Sequence, residues 1–284
     1  MARTRPSRTN ARRPSAQAAR GGRAAPRAAG ETGRARPRRP AAQRRPATQR
    51  LVPQRAETAL HRDPLRVLER QPWSSLRALL AGGDAEREGT LARLRAFALE
   101  LLRWNRGVSN LISHDDEARL VERHIAESLA GAETIKRLGC KRLVDFGSGG
   151  GFPALPLAIA GAGEHWTLVE SRRNKTLFLR RAVQELDLRG IDVVTGRLEV
   201  LVEEDATALH CDGFTSRATM KAGPTLELAA RIVRPDGYAI LWKGSGLREE
   251  LDSSRANWER EWSAPRTTPI GDGPNTLSVF ERRA

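Results

Sequence analysis

The chain has 284 residues, 39% of them hydrophobic, and a formal charge of +15. That is enough apolar material to bury the core of one large or two small domains, while no apolar run has the length of a bilayer span and nothing resembles a signal-peptide h-region. The two cysteines, Cys140 and Cys211, form no CxxC and lack histidine partners at metal-ligand spacing, so a reducing, cytoplasmic setting without a structural metal is expected.

The charge is concentrated at the start. Residues 1–50 hold fifteen arginines, no lysine and one acid, Glu31, and contain no Leu, Ile, Val, Phe, Trp or Tyr. Such a segment cannot bury enough apolar surface to offset the entropy of ordering it, which predicts a disordered Arg-rich tail over residues 1–62. A polycation of this kind neutralises nucleic-acid phosphates with little sequence preference and strong salt dependence. A solvated extension fits the composition as well; an organelle transit peptide fits less well, for want of a hydrophobic face. The rest of the chain is nearly neutral.

Residues 63–138 predict a helical layer. Leu65, Leu68, Leu76, Leu79 and Leu80 recur at near-helical spacing, and Gly82-Gly83 closes that segment. A second helix carries Leu91, Leu94, Phe97, Ala98, Leu101, Leu102 and Trp104 on one broad face. A third is expected from about Asp115 to Ile135, with Ser113 and Asp116 as a capping pair and Leu120, Val121, Ile125 and Leu129 as its stripe.

From residue 139 to 284 strands and helices alternate. Strands are predicted at 142–146, 166–170, 191–195, 213–217, 238–242 and 276–282, with helices at 153–162, 173–187, 198–208, 223–234 and 246–260. This alternation implies a parallel sheet covered on both faces, with ligands outside the carboxyl ends of the strands. The six tryptophans read as core or edge packing, with Trp242 beside Lys243 the one candidate for stacking on a base.

The stretch "LVDFGSGGGFPALPLAI" sits at that edge. Its glycines suit places where φ is positive or where backbone must touch a ligand. Two frames compete. In one, Gly149, Gly151 and Ala154 satisfy G-x-G-x-x-G/A, with Glu170 21 residues beyond Gly149 to hold a ribose, as in a nicotinamide-dependent oxidoreductase. In the other, Asp145, Gly147, Gly149 and Gly151 form D-x-G-x-G-x-G, the first motif of S-adenosylmethionine-dependent methyltransferases. The second is favoured because Asp145 would repel a pyrophosphate, because Pro153 has no N–H to offer one, and because Glu170 ends the second strand where a carboxylate meets both ribose hydroxyls.

The ordered segments "RHIAESL", "LVDFGSGGGFPALPLAI", "TLVESRRNKTLFL", "GRLE", "SRA" and "LWKG" together resemble the glucose-inhibited division protein B family, the bacterial small-subunit (16S) ribosomal RNA guanine-N7 methyltransferases, over about residues 90 to 284. Two positions depart from the family pattern: Glu127 stands where H-I-x-D-S-L has aspartate, and Ala154 where F-P-G has glycine. The resemblance implies an α/β fold, a Rossmann-like class I methyltransferase sheet with an N-terminal helical layer, and S-adenosylmethionine as cofactor. It implies donor contacts from Asp145, Gly147, Gly149, Gly151, Phe152 and Glu170, with Leu198 and Glu199 bordering the adenine. Arg217 would close the donor pocket near the reacting methyl and position the guanine; an ordinary strand-end pair with Glu199 is the alternative for it. Arg123, His124, Arg197 and Lys243 would meet RNA, although Arg123 and His124 also read as a polar helix face and Lys243 as a solvated strand end. The implied partner is 16S rRNA or the small ribosomal subunit, with no membrane or metal, and a monomer is expected. Guanine N7 carries a lone pair and no proton, so no general base is required and orientation dominates. A nicotinamide-dependent oxidoreductase and a non-catalytic RNA-binding or assembly protein remain open alternatives.

Overall fold

The computed structural model describes residues 63–284; the tail expected over residues 1–62 lies outside them. The helical layer comprises α1 (Pro64–Glu69), a 3-10 segment (Trp73–Leu79), α2 (Asp84–Gly107), α3 (His114–Glu117), a π-helical turn (Leu120–Ala126), α4 (Glu127–Leu129) and α5 (Ala132–Arg137). The remainder runs β1 (Arg142–Phe146), α6 (Ala154–Ile159), β2 (His165–Glu170), α7 (Arg173–Glu185), β3 (Ile191–Thr195), α8 (Leu198–Asp205), β4 (Cys211–Arg217), α9 (Ala222–Ala230), β5 (Val233–Lys243), α10 (Leu247–Ser253), α11 (Arg255–Trp258), β6 (Arg266–Pro269) and β7 (Thr276–Glu281).

One seven-stranded sheet has the order β3-β2-β1-β4-β5-β7-β6. Strands β1 to β5 are parallel, and the order reverses beside β1, where β2 lies on one side and β4 on the other. This is the switch point at which open α/β sheets hold ligands. Strand β1 is buried on both faces because its residues alternate between two cores. Leu143 joins Phe97, Leu101, Phe152 and Phe178 under the helical layer, whereas Val144 and Phe146 join Leu198, Phe214 and Leu226 under α8 and α9.

The parallel expectation fails at the C-terminal edge. Strand β7 runs antiparallel to β5, and β6, which the sequence pattern did not indicate, runs antiparallel to β7. Six residues separate β6 from β7, enough for a hairpin but too few for a crossover. Strand β6 carries no apolar stripe to betray it: all four of its residues are exposed and it ends in Pro269, a residue that sheets tolerate at an edge.

The helix expected from Asp115 to Ile135 is also broken. Ser113 does cap α3, accepting from the Asp116 amide at 3.2 Å, but the chain then widens into the π-helical turn and kinks again at Gly131. A Cβ there would stand 2.6 Å from the Trp242 ring, so the close approach of the helical layer to β5 requires glycine. From α4 the Ser128 hydroxyl donates back to the His124 carbonyl of the π-helical turn at 2.6 Å, a competition with helical bonding that bends helices. The first expected helix likewise divides at Pro72, and Leu65 and Leu79 face solvent.

Candidate active site

The glycine loop leaves β1 and folds across the end of β2. The amides of Gly147 and Ser148 both donate to the Val169 carbonyl, at 2.9 and 3.2 Å, which drives Gly147 to φ +72° and Gly149 to φ +54°. Those are left-handed values that a side chain disfavours. Glu170, at the last position of β2, completes the turn: its Oε2 accepts from the Gly149 amide at 3.0 Å and its Oε1 from the Arg172 amide at 2.8 Å. The carboxylate is 7% exposed and ties the loop after β1 to the loop after β2. Of the amides leading into α6, those of Gly151 and Phe152 donate to the Ser148 carbonyl and Pro153 has none. Little backbone is left there to cradle a pyrophosphate, which removes the geometric basis of the dinucleotide frame.

Beyond the loop lies a cleft of about 410 Å³ lined by Gly147, Gly149, Glu170, Leu198, Glu199 and the segment Ala218–Met220, among others. Leu198 is fully buried at the first turn of α8 and Glu199 half-buried beside it. The cleft thus joins the ends of β1, β2, β3 and β4. Arg172, Lys175 and Arg197 also line it, and their side chains have no hydrogen bond or ion pair among the described residues. Arg197, expected at an RNA contact, lies in this lining; Arg172 and Lys175 belong to "ESRRNK", where their position just after the strand-end acid is the available signal.

Asp145 and Phe152 lie beneath this cleft rather than along it. Asp145 is 0% exposed; its Oδ1 accepts from the Thr215 hydroxyl at 2.7 Å, and its Oδ2 is buried without a partner. Burial, aided by the Glu170 charge, pushes its carboxyl up to about 7. The Phe152 ring packs edge-on to Phe97 at 5.5 Å and against the His124 ring at 5.0 Å.

A second cleft, of about 340 Å³, opens on the other side of Ala218–Met220, which lines both. It is lined also by Arg123, Glu127, Arg217, Trp242, Lys243 and Asn275. Arg217 reaches from the end of β4 to the helical layer, donating to the Glu127 carboxylate at 2.8 Å and to the carbonyls of Arg123 and His124 at 2.7 and 3.3 Å. Its carboxylate partner is therefore Glu127 and not Glu199. Lys243 is equally engaged: its ammonium donates to the Met220 carbonyl at 2.6 Å and to Glu250 at 2.9 Å, and Glu250 in turn accepts from the Ala222 amide at 2.7 Å. The solvated strand end considered for Lys243 is corrected to a paired group that fastens the wall between the clefts. Ala218 in that wall takes φ +54°, strained for a residue with a Cβ.

Arg123 remains exposed and pairs with Asp116 at 3.0 Å. His124 turns inward, where burial first and then the Arg217 charge pull its imidazole down to about 4; at neutral pH it is uncharged. Its Nε2 lies 3.7 Å from Asp116, too far for a hydrogen bond. Glu250, Asn275, Thr219 and Met220 had no motif to mark them, being single positions brought in by long-range packing. No helix among the described residues is long and apolar enough to cross a membrane.

The sequence profile of the family described as rRNA small subunit methyltransferase G matches residues 90–275. A protein named ribosomal RNA small subunit methyltransferase G from Gluconobacter oxydans is 37% identical over 194 residues, covering 68% of this chain and 95% of the relative. One of the same name from Roseiflexus castenholzii is 38% identical over 159 residues, 56% of this chain and 67% of the relative. Among solved structures, an O-methyltransferase from Bacillus cereus in complex with SAH superposes with a TM-score of 0.50 at 14% identity, over 74% of this chain and 96% of that one; at that identity the likeness is one of fold.

Proposed function

The chain belongs to the rRNA small subunit methyltransferase G family and is a methyltransferase, and on that premise we propose that it transfers a methyl group from S-adenosylmethionine to N7 of one guanine in 16S rRNA, in the cytoplasm. The observation that carries the proposal is the pair of clefts divided by Ala218–Met220, one for the donor and one for the acceptor base.

The residues of the first cleft fit the donor. Glu170 at the end of β2 has the acceptor capacity to take both hydroxyls of a ribose, and the buried Leu198 backs the wall of the cleft where the adenine would lie. Gly147 and Gly149 keep side chains away from the methionine part, and Asp145, with an orphaned oxygen under the loop, supplies latent negative charge for a cationic ligand. When bound, the donor offers an electrophilic methyl on a sulfonium: the N7 lone pair takes the methyl, the C–S bond breaks, and its electron pair stays on sulfur. No proton leaves N7, so the protein needs no general base. That requirement agrees with the second cleft, where Glu127 and Glu250 are held by Arg217 and Lys243. What the chain contributes is alignment, the larger part of such a rate enhancement. Arg172, Lys175 and Arg197 at the mouth suit contact with RNA phosphate.

Titration of the protein with S-adenosylmethionine, followed by methyl transfer to small-subunit rRNA and mapping of the product, tests this. Donor binding with a single N7-methylguanine is expected. A methyl group on another atom or base would overturn the acceptor assignment, and affinity for NAD without affinity for the methyl donor would overturn the cofactor.

A further inference from the structure

The second cleft holds a fixed carboxylate. Glu127 is clamped through both oxygens, Oε2 by Arg217 at 2.8 Å and Oε1 by the Asn275 side-chain amide at 3.0 Å. Its backbone carbonyl accepts from the Trp242 indole at 2.7 Å, so the position of the residue and the direction of its side chain are both set. The side chain is 18% exposed and lines the cleft, whose volume accommodates one flat base. Trp242, 4% exposed, supplies an apolar wall.

We propose that Glu127 reads the Watson–Crick edge of the acceptor base, with Asn275 and Arg217 fixing its orientation, and that this contact selects guanine; the proposal rests on the N7-guanine reading above. An ionised carboxylate accepts only, and offers about four lone-pair sites; Arg217 and Asn275 occupy two. Guanine alone among the four bases presents two adjacent donors, N1–H and N2–H₂, which match two carboxylate oxygens side by side. Adenine presents an acceptor at N1, and uracil a single donor. N7 lies on the opposite edge of the purine from N1 and N2, so a base held in this way keeps N7 free for the donor. The contact also strengthens during the reaction, because the ring gains positive charge as N7 gains the methyl, and a bond that is stronger in the transition state accelerates the step. A base entering the cleft leaves its stack, and enzymes that modify such bases recognise them by this edge.

The test compares two RNAs, small-subunit rRNA with the guanine that the wild type methylates and the same RNA with inosine at that position, which lacks the N2 amino group. Wild-type kcat/KM is expected to fall by a factor of about ten on inosine. Glu127→Gln, which turns a donor toward the donors of guanine, is expected to be slower on guanine and to lose most of the discrimination, with S-adenosylmethionine affinity retained. Asn275→Ala, which frees Glu127 without changing its charge, is expected to lower discrimination by an intermediate factor and provides a second variant should Glu127→Gln unfold. N7 methylation with the same guanine-to-inosine ratio in the wild type and in either folded variant would overturn the role of Glu127 alone. No N7-methylguanine from the wild type would overturn the functional reading and this proposal with it.

Discussion

The Arg217 guanidinium and the Glu127 carboxylate meet at 2.8 Å across the seam between the sheet and the helical layer. The same guanidinium donates to two carbonyls of the π-helical turn, so one side chain closes a turn whose own ladder has been widened. Removing it leaves a carboxylate that is mostly buried and, among the described residues, held by Asn275 alone. Arg217→Ala is therefore expected to destabilise the fold by about 2 kcal/mol and to lower methyl transfer more than donor affinity, since Arg217 lines the second cleft and not the first. Arg217→Lys keeps the charge but cannot fork to a carboxylate and two carbonyls, and is expected to recover less than half of the lost stability. Thermal unfolding and donor titration on the two variants check this; a fully stable, fully active Arg217→Lys would remove the forked geometry from the explanation.

Glu170 has a different task, joining two loops through two backbone amides. Glu170→Ala leaves the amides of Gly149 and Arg172 without their acceptor and removes the group assigned to the ribose. Donor affinity is expected to fall by about tenfold to about a hundredfold, the worth of a charged hydrogen bond of about 1.5 to 3 kcal/mol. Glu170→Gln retains one acceptor oxygen and is expected to lie between. Isothermal titration with S-adenosylmethionine decides, and wild-type affinity in the alanine variant would refute the assignment.

Lys243 acts on the wall between the clefts. Its bonds to the Met220 carbonyl and to Glu250 hold Ala218–Met220 in place, and displacement of reacting groups by about 1 Å costs on the order of a hundredfold in rate. Lys243→Met keeps the apolar stem, leaves Glu250 with the Ala222 amide but no cation, and is expected to lower kcat by about ten- to a hundredfold with little change in KM for RNA. A rise in KM with kcat unchanged would instead mean that the ammonium contacts the RNA itself.

These cases mark where the sequence is legible. The glycine loop and Glu170 could be read because both signals are local: positive φ calls for glycine, and a strand-end acid lies a fixed distance along the chain. Arg217 could be picked as a strand-end cation, but not paired, because Glu127 lies 90 residues earlier and no periodicity links the two. The π-helical turn was hidden by a stripe, Leu120, Val121, Ile125 and Leu129, that also suits an ordinary helix; the later interruption at Gly131 answers to Trp242, more than a hundred residues away. Strand β6 had no buried face to impose alternation, and the run "GDGPN" marks a turn before β7 without marking the contact of Asn275 with Glu127, 148 residues earlier.

Two buried titratable groups near the clefts carry opposite pH signatures. His124 is pulled down to about 4 from 6.5, chiefly by burial. The unfolded chain takes up a proton near 6.5 that the folded chain refuses until about 4, so this contribution to stability is present above 6.5 and is lost as pH falls between those values. Asp145 is pushed up to about 7 from 3.8, again chiefly by burial. Here the folded chain keeps a proton that the unfolded chain has released, so stability is present below 3.8 and is lost as pH rises through 7. Each group contributes a slope of at most about 1.4 kcal/mol per pH unit, and between about 4 and 6.5 the two slopes oppose each other in the wild type. Single variants separate them. Asp145→Asn keeps an acceptor for Thr215 and loses the charge, so its stability relative to wild type is expected to rise from pH 5 to pH 7 and then level off. His124→Phe keeps a ring against Phe152, and its stability relative to wild type is expected to rise as pH falls from 7 to 5. Denaturant unfolding at pH 5, 6, 7 and 8 supplies both difference curves, and a flat curve for either variant would mean that the group it replaces does not hold the protonation state its burial imposes.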